Sequence, residues 1–174
     1  MRSMLQVFAR GFARFRRSER GTQLVELAIV LPILMAFFAA TAEFGRYFYN
    51  YSTLSKATRA GARYLSTTPV KSGGSNPCRD DDVRRLVVYG DPRAAAGSRP
   101  VLPGLTLSNV ELKREGQTTG VPEKVTVRIV NYNYQPLINL GGFANGLKWA
   151  NIPLKPSTTM RYLLTQPSPS GACS

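Results

Sequence analysis

The residues best placed to take part in chemistry are Gly21, Thr22 and Glu26, in the run Gly21-Thr-Gln-Leu-Val-Glu26. Hydrolysis of the Gly21–Thr22 bond would leave an α-amino group on Thr22 with a pKa of about 7.7–8.0, largely charged at neutral pH. Glu26 lies four residues further on, one helical turn away and close to that amine. Two readings of this carboxylate stand side by side. In one, it gains an opposite charge from its own new terminus or from that of a neighbouring subunit. In the other, it rests at the headgroup level of a bilayer, where a charge costs little. Spacing alone does not separate them.

Other chemistry is poorly supplied. The 174 residues contain no histidine, which excludes Ser-His-Asp and Cys-His arrangements. There is no Gly-Lys-Ser/Thr phosphate loop and no dinucleotide fingerprint. The two cysteines, without a histidine, cannot fill the four positions of a zinc site. Asp80, Asp81 and Asp82 are adjacent, so they cannot all face one calcium ion. The remaining carboxylates sit beside Lys or Arg or at helix starts, and none converges as an acid–base pair would. The chain reads as a non-enzyme with no cofactor and no metal.

The element that positions Glu26 is an apolar run. From Leu24 to Ala42, Glu26 is the only charged residue. At about 1.5 Å per residue this run is long enough to cross a hydrocarbon core of about 30 Å. It also exceeds the apolar region of an ordinary secretory signal, about 7–15 residues long. Arg2, Arg10, Arg14, Arg16, Arg17 and Arg20 precede it, opposed by Glu19. Positive charge on this flank places the N-terminus in the cytoplasm and sends the rest of the chain across. Pro32 removes a backbone donor within the run and presses on the carbonyl of Ala28, so a kink is expected. It serves either to soften the helix for departure from the bilayer or as a tolerated membrane proline.

Past Ala42 the run becomes amphipathic. Phe44, Tyr47, Tyr51, Leu54, Thr58, Gly61 and Leu65 recur at spacings of three and four, with Arg46, Asn50, Thr53, Lys56, Ala60 and Arg63 on the other face. One helix from about Thr22 to Leu65 is predicted, roughly 65 Å long. Tyr47, Phe48, Tyr49 and Tyr51 fall where an interfacial aromatic belt belongs.

Residues 66–174 form a body large enough for one small core. Asp80–Asp82 followed by V-R-R-L-V-V-Y and Gly90 predicts a short helix. Leu105 to Leu112, with one shift of phase, and the alternation Val125, Val127, Ile129 predict two antiparallel strands. The change of phase at Val130 predicts a bulge. Pro136–Trp149 reads as a loop or weak helix, and Thr158–Leu164 as a last strand. Cys78 and Cys173 both lie on the exported side. A disulfide between them is the expectation in an oxidising compartment, the alternative being two unrelated thiols. The formal charge of +13 admits nucleic acid as a partner, but a solvated basic surface is the preferred reading.

Gly21-Thr-Gln-Leu-Val-Glu26 before an apolar helix resembles the prepilin-peptidase site of type IV pilins, with Glu at the fifth mature position. V-E-L-A-I-V-L-P-I-L running to E-F-G-R-Y-F-Y, and A-x-x-A-G-A-R across Ala57–Arg63, resemble the TadE-like minor pseudopilins of tight-adherence (Flp) pili. L-V-V-Y-G at Leu86–Gly90 is similar to a motif of their exported domain. The resemblance implies that Gly21 precedes the cut, Thr22 is the mature N-terminus and Glu26 is the assembly carboxylate. Thr22 departs from the Phe common at the first mature position in type IV pilins. Pro32 matches the family pattern.

The resulting expectation is a pilin-like α+β chain: a long transmembrane and amphipathic N-terminal helix, then a small, mainly antiparallel sheet in an exported domain. Its divisions are a basic cytoplasmic leader (1–21), a transmembrane helix (22–43), an amphipathic extension (44–65) and the exported domain (66–174). The function implied is that of a minor pseudopilin. It would be processed by a prepilin peptidase and packed through its helix with other pilin-like subunits and the pilus assembly machinery. The location implied is the bacterial inner membrane, single-pass, with a periplasmic C-terminal domain or a place in an extracellular pilus. The alternative is an uncleaved signal-anchored binding module whose Arg84, Arg85, Arg93, Arg99, Lys113 and Arg114 contact DNA or anionic surfaces.

Overall fold

A computed structural model describes residues 19–70, 76–95, 97–116, 120–137 and 152–165. Helix α1 spans Glu19–Thr67 and runs through Pro32 without a break in its assignment. Helix α2 spans Pro77–Tyr89. A 3-10 turn at Leu107–Asn109 leads into β1 (Val110–Glu115) and β2 (Lys124–Ile129). Then follow β3 (Asn133–Tyr134), β4 (Ile152–Pro153) and β5 (Ser157–Arg161). This is the expected α+β arrangement, a long apolar N-terminal helix followed by a small antiparallel sheet. The chain divides into two compact units between Phe44 and Gly45.

In the first unit, α1 is apolar on every side, and its apolar side chains from Leu24 to Phe38 are exposed. Apolar residues all round a helix, with nothing packed on them, suit a lipid solvent. The helix is long and apolar enough to cross a membrane, and none of its most apolar window is buried. It is compatible with single-pass membrane anchoring.

In the second unit, β2 is the central strand of the order β1-β2-β5, antiparallel to both neighbours. Val125, Val127 and Ile129 point inward and are fully buried, as strict alternation requires. They meet Leu54, Ala62 and Leu65 of α1 and Val83, Val87 and Val88 of α2 in one core. Thr58 Oγ1 and Thr158 Oγ1 lie 3.1 Å apart, hydrogen-bonding α1 to β5. The opposite face of the sheet is polar: Thr126 and Thr159 pair through their hydroxyls at 2.8 Å, and Arg128 binds Glu111.

The amphipathic assignment holds for the deeper turns of α1 and fails for the first ones. Leu54, Thr58, Gly61 and Leu65 are buried and Tyr47 is half-buried, but Phe44 and Tyr51 face outward. In their place, Glu43 is 4% exposed. Tyr47 packs edge-on against Tyr134 with ring centroids 5.4 Å apart, and Arg46 lies over the same ring at 5.8 Å. An aromatic ring with a guanidinium above it and an edge beside it fills a position that apolar periodicity alone assigns to Phe44.

The bulge expected at Val130 is absent. β2 ends at Ile129, and Asn131 takes a left-handed φ of 52°. The alternation then restarts in a second sheet, where Asn133 and Tyr134 pair with Pro153 and Ile152. The reversal is held by Asn109. Its amide donates to the carbonyls of Val130 and Asn131, and its Oδ1 accepts from Thr106 N and Oγ1. The phase shift before β1 has a similar cause, since the 3-10 turn at Leu107–Asn109 interrupts the strand period.

Helix α2 begins earlier than the aspartates suggest. Pro77 sits in its first turn, where the missing N–H costs nothing, and Asn76 is the N-cap. Gly90, at φ 78°, closes it in the left-handed conformation, donating its N–H to Leu86 O. The final strand stops at Arg161, short of Leu164. Tyr162 then donates its hydroxyl to Thr68 O at 2.8 Å, and Leu163 N donates to Ser66 O. The segment Pro136–Trp149 lies outside the described residues from position 138 on.

Candidate functional site: a carboxylate and a Gly-Thr junction on one helix

Gly21, Thr22, Glu26 and Pro32 all lie on α1. Both residues of the Gly21–Thr22 peptide lie within the helix, close to the first described residue, Glu19. Gly21 is half-buried, whereas Thr22 and Glu26 are exposed. Thr22 and Glu26 stand at i and i+4, so about 5–6 Å separates their β-carbons. Among the described residues Glu26 forms no ion pair, which leaves its charge open to an amine at position 22 or to a group from another chain. Pro32 is exposed on the same helix, six residues further along.

This geometry suits charge pairing at one end of an apolar helix. Among the described residues there is no group of acids, cysteines or histidines that could hold a metal ion. Four carboxylates of the second unit are held in ion pairs among the described residues: Asp80 with Arg114, Asp81 with Arg84, Asp82 with Arg79, and Glu111 with Arg128 and Lys113.

The same pairs bear on the alternative basic surface. Arg114 forms a two-armed ion pair with Asp80, its side chain 10% exposed and that of Asp80 16%. A cation so enclosed is unavailable to a phosphate. Arg84 and Lys113 are also engaged, though exposed. Arg85, Arg93 and Arg99 have no ion pair among the described residues, and their exposures differ. The six cations are therefore not one contact surface. Cys173 and the Cys78 side chain lie outside the described residues, and the expected disulfide with them.

Against these positions, the comparison with known families is informative. Residues 21–63 match the family model of TadE-like proteins. That span opens at the proposed junction, contains Glu26 and Pro32, and closes on the last turns that pack into the core. It is consistent with a TadE-like pilin of tight-adherence (Flp) systems, as the residues alone imply. The remaining body lies outside the match. No curated protein and no solved structure matches the chain at a significant level.

Within the TadE-like stretch, sequence reasoning missed the environment of Glu43 and Arg46. The motif E-F-G-R-Y-F-Y contains both residues, but periodicity assigned Glu43 to the end of the membrane run and Arg46 to the outer face. Glu43 is buried, and Arg46 is half-buried with its guanidinium over the Tyr134 ring. Their spacing of three within an otherwise apolar and aromatic stretch was the available signal, because two ionisable groups there need a shared environment.

Proposed function

We propose that this chain is a minor pseudopilin of a tight-adherence pilus. It is held in the inner membrane by the first half of α1, cut by a prepilin peptidase between Gly21 and Thr22, and packed through its helix with other pilin-like subunits. The single observation that carries the reading is the coincidence of the TadE-like match, residues 21–63, with an apolar helix that is uncovered among the described residues. An uncovered stripe of this length has two sinks, lipid before assembly and neighbouring helices after it.

Lateral packing of apolar helices supplies most of the association but little axial register, since one apolar surface slides over another at small cost. Glu26 supplies the register. Carrying a carboxylate in the apolar run is costly, and a neighbouring Thr22 amine offsets that cost at one axial position only. The exported domain, residues 66–174, lies in the periplasm, and the Arg-rich leader stays in the cytoplasm until it is removed.

The deciding experiment is N-terminal sequencing of the protein recovered from the membrane fraction. A mature start at Thr22 supports processing as proposed. An intact Met1 start in membranes with an active peptidase would refute it and leave an uncleaved signal-anchor.

A further inference from the structure

The outer face of α1 within the second unit carries a row of cations, Lys56, Arg59 and Arg63, all exposed. Spacings of three and four set them along one stripe. Leu54, Thr58, Gly61 and Leu65 hold the other side of the helix in the core. No Asp or Glu occurs between Glu43 and Asp80, and the row has no ion pair among the described residues. Five other cations of this unit, by contrast, are each held by a named carboxylate.

We infer that this row docks an acidic helix face belonging to a different protein, a partner subunit with carboxylates at matching spacing. The inference rests on the assembly reading above and sharpens it, because it excludes a second copy of this chain as the partner at this face. The described acids of a second copy offer no open row along a helix outside the apolar run. Glu26 lies in the apolar run and Glu43 is buried. Asp80, Asp81, Asp82 and Glu111 are ion-paired, and Asp91 accepts the Arg93 N–H. Exposed Glu115 and Glu123 lie at the end of the β1–β2 pair and form no row along a helix. Two copies meeting at this face would set cation against cation, so the charge pattern selects a foreign partner.

Lipid is remote from most of the row. Lys56 stands about 16 Å along the helix from Gly45 and Arg63 about 27 Å, at about 1.5 Å per residue. The headgroup layer adds only about 5–8 Å to the hydrocarbon core, and screening removes attraction beyond about 8 Å at physiological salt. Single-stranded nucleic acid is bound with aromatic stacking platforms beside the cations, and duplex is separated by the test below. This row is one residue wide, and Ser52, Ser55 and Ala60 beside it are small.

The test is photocrosslinking in membranes of the source organism, using the full chain with a photoreactive side chain at exposed Ala60 and, separately, at Val30 in the apolar run. The expected Ala60 adduct is a second, pilin-like protein, identified by peptide mass and bearing an acidic stripe. Its yield should fall at least tenfold in a Lys56→Glu/Arg59→Glu/Arg63→Glu chain. Reversing the partner's acids to lysine should restore it. An Ala60 adduct dominated by a second copy, by lipid or by nucleic acid overturns the proposal, as does failure of the charge swap. Protein adducts at Val30 with none at Ala60 refute the row while leaving the assembly reading standing. Absence at both positions overturns both.

Discussion

Gly61 of α1 and Val87 of α2 approach so closely that a β-carbon on Gly61 would stand 2.5 Å from Val87 Cγ2. Val83 and Val127 lie just beyond, at 3.5 and 3.6 Å from the same point. Glycine is therefore required at position 61 by the approach of the second helix, on top of a helix propensity about 1 kcal/mol poorer than alanine. Gly61→Ala should lower stability by about 1–3 kcal/mol through overpacking. Val87→Ala in the same chain should recover part of that loss. Chemical unfolding of both single variants and the double variant, followed by circular dichroism, measures the coupling. Additive effects would show that the two residues do not constrain each other.

Asp80 and Arg114 join the first turn of α2 to β1 in a mostly enclosed ion pair. Removing one partner strands the other charge, at a typical cost of about 3–5 kcal/mol for a fully buried pair and less at this residual exposure. Asp80→Asn should therefore destabilise more than Asp81→Asn, whose Arg84 partner is exposed. Equal unfolding midpoints for the two variants would contradict this.

Burial raises the pKa of the Tyr132 and Tyr162 hydroxyls above 10.0; for Tyr162 a backbone hydrogen bond and the charge of Arg114 oppose the rise. The unfolded chain releases these protons first as pH climbs. The stability that they contribute is thus complete below about pH 10 and declines as pH rises through the folded values. Urea midpoints at pH 8 and pH 10.5 should differ less in a Tyr132→Phe/Tyr162→Phe chain than in the parent. The double variant should also lose about 1 kcal/mol per hydrogen bond at pH 8, from the bonds to Pro103 O and Thr68 O.

Glu26→Ala should leave cleavage at Gly21–Thr22 largely intact and reduce incorporation into the assembly. Gly21→Val should block cleavage. Immunoblots separate precursor from mature chain, and pilus yield reports incorporation. Normal assembly by Glu26→Ala would remove the register role, and a mature-sized Gly21→Val band would move the cut elsewhere.

The parts of the fold legible in the sequence were those written in a period. The apolar run, Val125-Val127-Ile129 and the face Leu54, Thr58, Gly61, Leu65 each repeat at the spacing of the element that they form, and each lies where that spacing puts it. The misplaced parts depend on a partner far along the chain. Phe44 and Tyr51 look like core residues until Tyr134, some ninety positions later, takes Tyr47 and Arg46 instead. The false bulge at Val130 dissolves only because Asn109, from the other side of the hairpin, fixes a left-handed Asn131. The proposed site was legible for a different reason. Gly21, Thr22, Glu26 and Pro32 act through their order along one helix, so no tertiary fold is needed to gather them. The burial of Glu43 needed the fold.

The strand order β1-β2-β5 has a consequence for how the molecule is made. β2 is central, yet its second neighbour comes from the far end of the chain. A nascent chain emerging N-terminus first presents α1, α2 and the β1–β2 hairpin while one edge of β2 is still bare. Pairing with Ser157–Arg161 must wait for β3, β4 and the chain between them to follow β2, and closing so long a loop is slow. Until then Val125 and Val127 have no neighbour on that side, and the half-built sheet invites proteases and chaperones. A stop codon placed just before Ser157 should therefore abolish accumulation, although α1, α2 and the β1–β2 hairpin are all kept.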